Sequence, residues 1–347
     1  MEYGSLMDIA EKYDRILVFG AGGGGDALGT VHLYLKLKKL GVEPVIGSIV
    51  WERHPVDPYP GPIPIESLLD AEPIGWSAAI VSGRTVAYRY GIEVKFQLAR
   101  VIDALGVKGL FIDASKGVYG VSEALKAAHE VLGVEAVIAL DTGGDILAVG
   151  CEDNLWSPLA DAISLAGMKE SGLPGVIAVH GPGADGELPT KKVLEYISII
   201  ASMGGLIEVL GLSRYEVNYI SKIMEKVYSE SSKLPVYAFK GEYGIREIRG
   251  KTRRVELSPI TATTYLLQLD PVYEWSEQAK AVAGTRGIGQ AKERLNKHCI
   301  VTELDLELEL SRLKESPSYR AIPIDEVRRE LRRKLMRRGC VAFDCKA

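Results

Sequence analysis

The chain has no apolar run approaching the roughly 18 to 20 residues that a membrane-spanning helix needs, which excludes an integral membrane role. Its start, Met1 to Asp14, lacks the basic residues and apolar stretch of a signal peptide, so the cytoplasm is the expected compartment. Cysteine is scarce: Cys151, Cys299, Cys340 and Cys345 form no Cys-x-x-Cys and have no histidine pair nearby, which excludes the familiar structural zinc sites. They read as reduced thiols, with a Cys340 to Cys345 disulfide as the one pairing weighed. Asparagine and glutamine are as rare, against 46 Asp and Glu and 42 Lys and Arg, a balance found in heat-adapted proteins and consistent with a thermophilic source. A net charge of −4 leaves no global footprint for nucleic acid. No Gly-x-Ser-x-Gly elbow, His-Glu-x-x-His or kinase signature is present, so those templates are set aside. There is no repeat of fixed period and no low-complexity tract.

What is present is alternation. From Arg15 onward a short apolar run, a Gly- and Asp-rich turn and an amphipathic helix recur, the pattern of a parallel sheet covered by helices. Strands are expected at 16–19, 45–50, 109–112, 134–140 and 175–179, with helices from the 20–26 turn to about Leu40, over 93–105 and 121–132, after Ser157 and Pro158, and over 191–203 capped by Thr190. The proline-rich stretch after Trp51 reads as an ordered excursion over the carboxyl edge of the sheet. Past Gly205 the alternation fades into helices near 214–229, 276–297 and 325–338, with strands at 237–240 and 300–303. The expected fold is therefore α/β: a doubly wound, mostly parallel Rossmann-like sheet of five or six strands in residues 1–205, with a smaller C-terminal α/β extension over 206–347.

The turns carry the chemistry. Gly20, Gly22 and Gly25, with Gly23 and Gly24 between them, satisfy G-x-G-x-x-G between a strand and a helix, where backbone amides and the helix terminus suit a phosphate. Glu52, ending the second strand, stands where a ribose-binding carboxylate belongs, which opens an NAD(P) reading. Asp26 opposes both an uncomplicated phosphate site and a Walker loop, unless a cation intervenes; the other reading is a tight turn with Asp26 stabilising the helix dipole. Asp141 and Asp145, flanking Gly143 and Gly144, suit Mg²⁺ or acid–base work, because paired carboxylates raise each other's pKa unless a cation sits between them. Asp113, Asp185 and Glu187 also follow strands on the carboxyl edge, as do the turn glycine Gly183 and the basic groups Arg53, His54 and Lys116, with Arg84 and Arg286 as further candidates. Lys116 suits a phosphate oxygen or plain solvent; His180 suits a general base or a structural hydrogen bond.

GAGGGGD, ERHPVDPYPGP, DTGGD, SPLAD and HGPGADGE, in this order between Ile16 and Gly205, resemble the mainly archaeal domain of unknown function numbered 1152. The resemblance implies a Rossmann-like core, and it implies that 22–26, 141–145 and 181–187 are the family's own signature stretches; it assigns no reaction. The residues support a small anionic ligand, nucleotide or sugar phosphate, held by the 22–25 glycines with a divalent cation on Asp141 and Asp145, and phosphoryl transfer or hydrolysis using Asp26, Asp141, Asp145 and His180. Two alternatives remain open: an NAD(P)-dependent oxidoreductase, and a non-catalytic nucleotide sensor or homo-oligomeric assembly component docked through the basic C-terminal helix.

Overall fold

The computed structural model describes residues 3–53, 56–314 and 323–344, and in it the alternation becomes one nine-stranded sheet. Across the sheet lie Leu206–Gly211, Thr263–Gln268, Gly175–His180, Ala136–Thr142, Arg15–Gly20, Glu43–Ile49, Gly109–Ile112, Ala78–Val81 and Glu72–Pro73. The middle five are parallel and, numbered along the chain, stand in the order 5-4-1-2-3, the arrangement of a doubly wound Rossmann-like fold. Two antiparallel strands extend each edge.

The central strands are almost wholly buried, as continuous apolar runs must be when helices cover both faces. Leu17 and Phe19 face the Gly117–Leu132 and Pro158–Ser171 helices, while Ile16 and Val18 face Leu33 and Leu37 of the Asp26–Lys39 helix. Among the described residues no helix is long and apolar enough to cross a membrane.

Several local expectations are corrected. Residues 92–94 form a strand against Val86–Arg89, so the next helix begins only at Gln97. Thr190 opens its helix rather than capping it, with its hydroxyl donating to the Pro182 carbonyl. The strand expected at 237–240 is instead the end of the Leu234–Phe239 helix, because Pro235 sits in the first turn and Leu234, Val236 and Ala238 are buried together. Residues 300–302 run without regular structure into a helix, Glu303–Lys314, and 276–297 splits into Glu277–Val282 and Ile288–Asn296 around the left-handed Gly284.

The cysteines are also corrected. Cys340 pairs with Cys299 across a Cα separation of 5.2 Å, and Cys151 is disulfide-bonded as well, so the described cysteines are not reduced. The cause is the return of the chain after the Ile324–Arg337 helix, where the Val341 amide donates to the Lys297 carbonyl and sets Cys340 beside Cys299. Cys345 and His54 lie outside the described residues.

Candidate active site

In the doubly wound order, the first and fourth parallel strands are neighbours whose following helices go to opposite faces, which opens a crevice at their carboxyl ends. Both Gly- and Asp-rich turns leave from that point. Asp26 ties them together: its Oδ2 accepts the Gly22 amide at 2.7 Å and its Oδ1 accepts the Thr142 amide at 3.1 Å. The turn after the fifth strand joins in, since the Gly143 amide donates to the His180 carbonyl and the Gly183 amide to the Gly143 carbonyl.

The three turns, with the start of the Pro158–Ser171 helix, bring Asp26, Asp141, Asp145, Asp161, Asp185 and Glu187 together in the interior. Oxygens of Asp141, Asp145 and Asp161 lie within 4.8 Å of one another, and so do those of Asp145, Asp185 and Glu187, so Asp145 belongs to both triads. Some of these groups have partners. Asp141 accepts the Ile146 amide, and Glu187 takes the Trp156 and Ser157 amides and the Ser157 hydroxyl. Asp161 and Asp185, exposed by only 3% and 4%, have no hydrogen bond to either oxygen among the described residues.

Burial is the main reason these acids hold their protons too tightly. It pushes Asp26 up to about 6 and, with the Glu187 charge, Asp185 up to about 7. Asp141, Asp145 and Asp161 are driven well above the carboxylate range, first by burial and then by neighbouring carboxylates: Asp26 and Asp185 at Asp141, Asp161 and Asp141 at Asp145, Asp141 and Asp26 at Asp161. Glu187 is the exception: burial pushes it up, but Arg253 and Arg249 beside it, with the Ser157 bond, bring it below its usual value. Burying carboxylates beside one another costs several kcal/mol unless each is bonded and counter-charged, and the arginines reach Asp185 and Glu187 but not Asp161, so this set has a demand for protons or for cations.

The family model described as protein of unknown function, DUF1152, matches residues 17–311. The chain belongs to the DUF1152 family. No curated protein and no solved structure matches the chain significantly.

In this DUF1152 protein the turn glycines make room for acids. A Cβ on Gly22 would lie 2.8 Å from Asp26 Oδ2 and 3.1 Å from Asp161 Oδ1, and one on Gly24 would lie 2.5 Å from Glu52 Oε2. Gly20 lets Asp26 pack at the strand end, and Gly23 lies under the Trp51 carbonyl. Gly143 has φ +125°, and its Cβ would fall 2.3 Å from the Asp185 carboxyl. Gly143→Ala is therefore expected to destabilise the fold by about 2 kcal/mol or more in urea unfolding, because backbone strain and overlap add; a loss under about 0.5 kcal/mol would show that Asp185 does not need this approach. Gly144 and Gly183 are closed in instead by Val193 and Thr190, and Gly25 is approached by the Ser229 hydroxyl.

Other sequence candidates lie elsewhere. His180 Nδ1 and His32 Nε2 share the Thr264 hydroxyl, at 2.7 and 3.0 Å, and the two rings stack; burial pushes His180 down to about 3, so it stays neutral. Lys116 is drawn to Glu66 and Asp113 above the Trp76 ring and does not enter the acidic cluster. Asp113 accepts the Ile65 and Ser115 amides. Glu52 Oε1 accepts the Gln97 amide at the start of the Gln97–Leu105 helix, and Arg286 lies over Tyr119.

Sequence reasoning missed Asp161, Arg249, Arg253 and Glu303. Asp161 stands inside the SPLAD segment, three residues into its helix, and that segment was the only signal. Glu303 reaches back from the C-terminal region to accept the Leu159 and Ala160 amides at the start of that same helix, and it pairs with Arg53. Beside the acids a cavity of about 430 Å³ opens, with Glu187, Ser157, Arg249, Arg253, Trp51 and Trp156 in its wall.

Proposed function

We propose that this DUF1152 protein is a divalent-cation-dependent enzyme acting on a phosphate-bearing small molecule, a nucleotide or sugar phosphate, by phosphoryl transfer or hydrolysis. The observation that carries the reading is the pair of carboxylate triads sharing Asp145, with Asp161 and Asp185 buried and without a hydrogen bond among the described residues. Hard oxygen donors of this kind suit Mg²⁺ or Mn²⁺. Asp141, Asp145 and Asp161 would hold one ion and Asp145, Asp185 and Glu187 a second; such ions supply a polarised phosphoryl group and an activated water. Asp26 then acts as a positioning residue, since it fixes the glycine loop against the 141–145 turn. The NAD(P) reading has less support, because the Glu52 carboxylate is occupied by the Gln97 amide and by the close approach of Gly24.

Thermal unfolding with Mg²⁺ or Mn²⁺ tests this directly. A cation at 100 times its Kd should stabilise by about 2.7 kcal/mol, with a further rise on adding a nucleotide or sugar phosphate and full reversal by chelator. A shift with NAD(P) alone that survives chelation would instead favour the oxidoreductase, and no shift with any cation would overturn the metal reading.

A further inference from the structure

Beside Glu187, the antiparallel hairpin Gly244–Ile248 and Arg253–Leu257 brings its tip to the cavity. Arg253 is 4% exposed there, with its guanidinium 4.0 Å over the Trp156 ring. Its Nη1 donates to the Gly186 carbonyl at 2.9 Å and points to the Asn154 carbonyl at 3.4 Å. The opposite edge of the guanidinium, Nε and Nη2, has no hydrogen bond among the described residues; the ion-pair oxygen, Glu187 Oε1, is 3.8 Å from Nη2. Two parallel N–H groups on one edge are the fork that takes two oxygens of a phosphate.

The local charge points the same way. Arg249, at the hairpin tip, lies 3.7 Å from Glu187 and its charge also acts on Asp185 and Asp26, while the positive charge of Arg328 from the C-terminal helix acts on Glu187. That carboxylate already accepts two amides and a hydroxyl. Among the described residues Glu187 is the carboxylate within 4 Å of both guanidinium groups, Arg249 and Arg253, in the cavity wall, and the Arg253 N–H groups it leaves without a hydrogen bond suit the oxygens of a phosphate. The glycine loop offers less, because the amides of Gly22 and Gly24 already donate to Asp26 and to the Trp51 carbonyl. The wall also carries the apolar side chains Trp51, Trp156, Leu306, Leu310 and Ile324, set among the carboxylates Glu303 and Glu307.

Resting on the metal-dependent reading above, we propose that Arg249 and Arg253 form the phosphate-binding subsite, and that the ligand is a phosphate ester with an aromatic or apolar body. Inorganic phosphate, phenyl phosphate and ribose 5-phosphate are titrated calorimetrically into the full chain, with and without Mn²⁺, and Mn²⁺ is titrated alone. Arg249→Ala, at an exposed position, and Arg253→Lys, which keeps the charge and loses the fork, should each weaken phosphate binding about tenfold or more, the worth of a charge-assisted bond, while Mn²⁺ binding is retained. Phenyl phosphate should bind about tenfold more tightly than ribose 5-phosphate. Unchanged phosphate affinity in both variants, or no phosphate binding by the parent chain in either condition, would overturn the subsite, and a preference for ribose 5-phosphate would overturn the apolar body. Failure of Mn²⁺ alone to bind the parent counts against the metal reading, and the phosphate titrations without metal then still decide the arginine subsite.

Discussion

Asp145→Asn is expected to abolish divalent-cation binding and, in the same protein, to raise the unfolding midpoint measured in chelator. Asp145 is the carboxylate common to both triads, so its neutralisation removes a ligand from each. Losing a mere outer partner of a metal ligand costs 10- to 100-fold in affinity, and losing a ligand shared by two ions should exceed about 100-fold. Without metal the sign reverses. Burial first, and then the charges of Asp161, Asp141, Asp185 and Glu187, oppose ionisation of Asp145, to which the Ser157 hydroxyl donates only a long 3.3 Å bond. An amide of the same shape avoids that penalty, so the metal-free variant should be more stable than the parent by about 1 to 3 kcal/mol. Asp113→Asn is the matched control: this carboxylate also ends a parallel strand, but it accepts the Ile65 and Ser115 amides, so its loss should destabilise by about 1 kcal/mol and leave the cation response intact. If Asp145→Asn lowered the midpoint and kept the Mn²⁺ response, the cluster would be a set of turn caps and nothing more.

These expectations separate what the sequence makes legible from what it hides. The five parallel strands are readable because each is buried on both faces and so is apolar without interruption, as in Val137 to Leu140. The antiparallel strand Leu206–Gly211 is only partly buried, mixes Glu208 among its apolar residues, and carries no comparable run. Asp26, Asp141, Asp145 and Asp185 are legible as candidates because a carboxylate straight after a buried strand must lie on the carboxyl edge. Asp161 is not, since inside a helix it looks like any first-turn acid favouring the dipole. Arg249, Arg253 and Glu303 reach the site only through tertiary packing of elements more than sixty residues beyond the last turn they join. His180 invites a general-base role by its place before a glycine turn, yet its side chain points to Thr264, on an antiparallel strand that the pattern did not reveal.

The same burial that hides Glu303 and Glu52 gives the fold an unusual dependence on pH. Each ordinarily titrates near 4.5 and is pushed up to about 7 by burial, against the opposing pull of Arg53 and of the amides each accepts; Asp57 reinforces the rise at Glu52. Between those values the folded chain keeps a proton that the unfolded chain releases, so this contribution is fully present below about 4.5 and is lost as pH rises to about 7. At 1.36 kcal/mol per unit, each group should remove roughly 3 kcal/mol across the window. In chelator Asp26 and Asp185 act with the same sign, whereas Glu187, held below its usual value, contributes stability that disappears on acidification. Urea unfolding at pH 5.5 and pH 8 in chelator should therefore show the parent losing several kcal/mol on going alkaline, and Glu303→Gln should lose distinctly less. Saturating Mn²⁺ should remove the part due to the aspartates, because the cation takes the proton's place, and leave the part due to Glu52 and Glu303. A parent that gained stability from pH 5.5 to pH 8, with Glu303→Gln following the same slope, would mean that both glutamates are ionised in the fold and that Arg53 outweighs their burial.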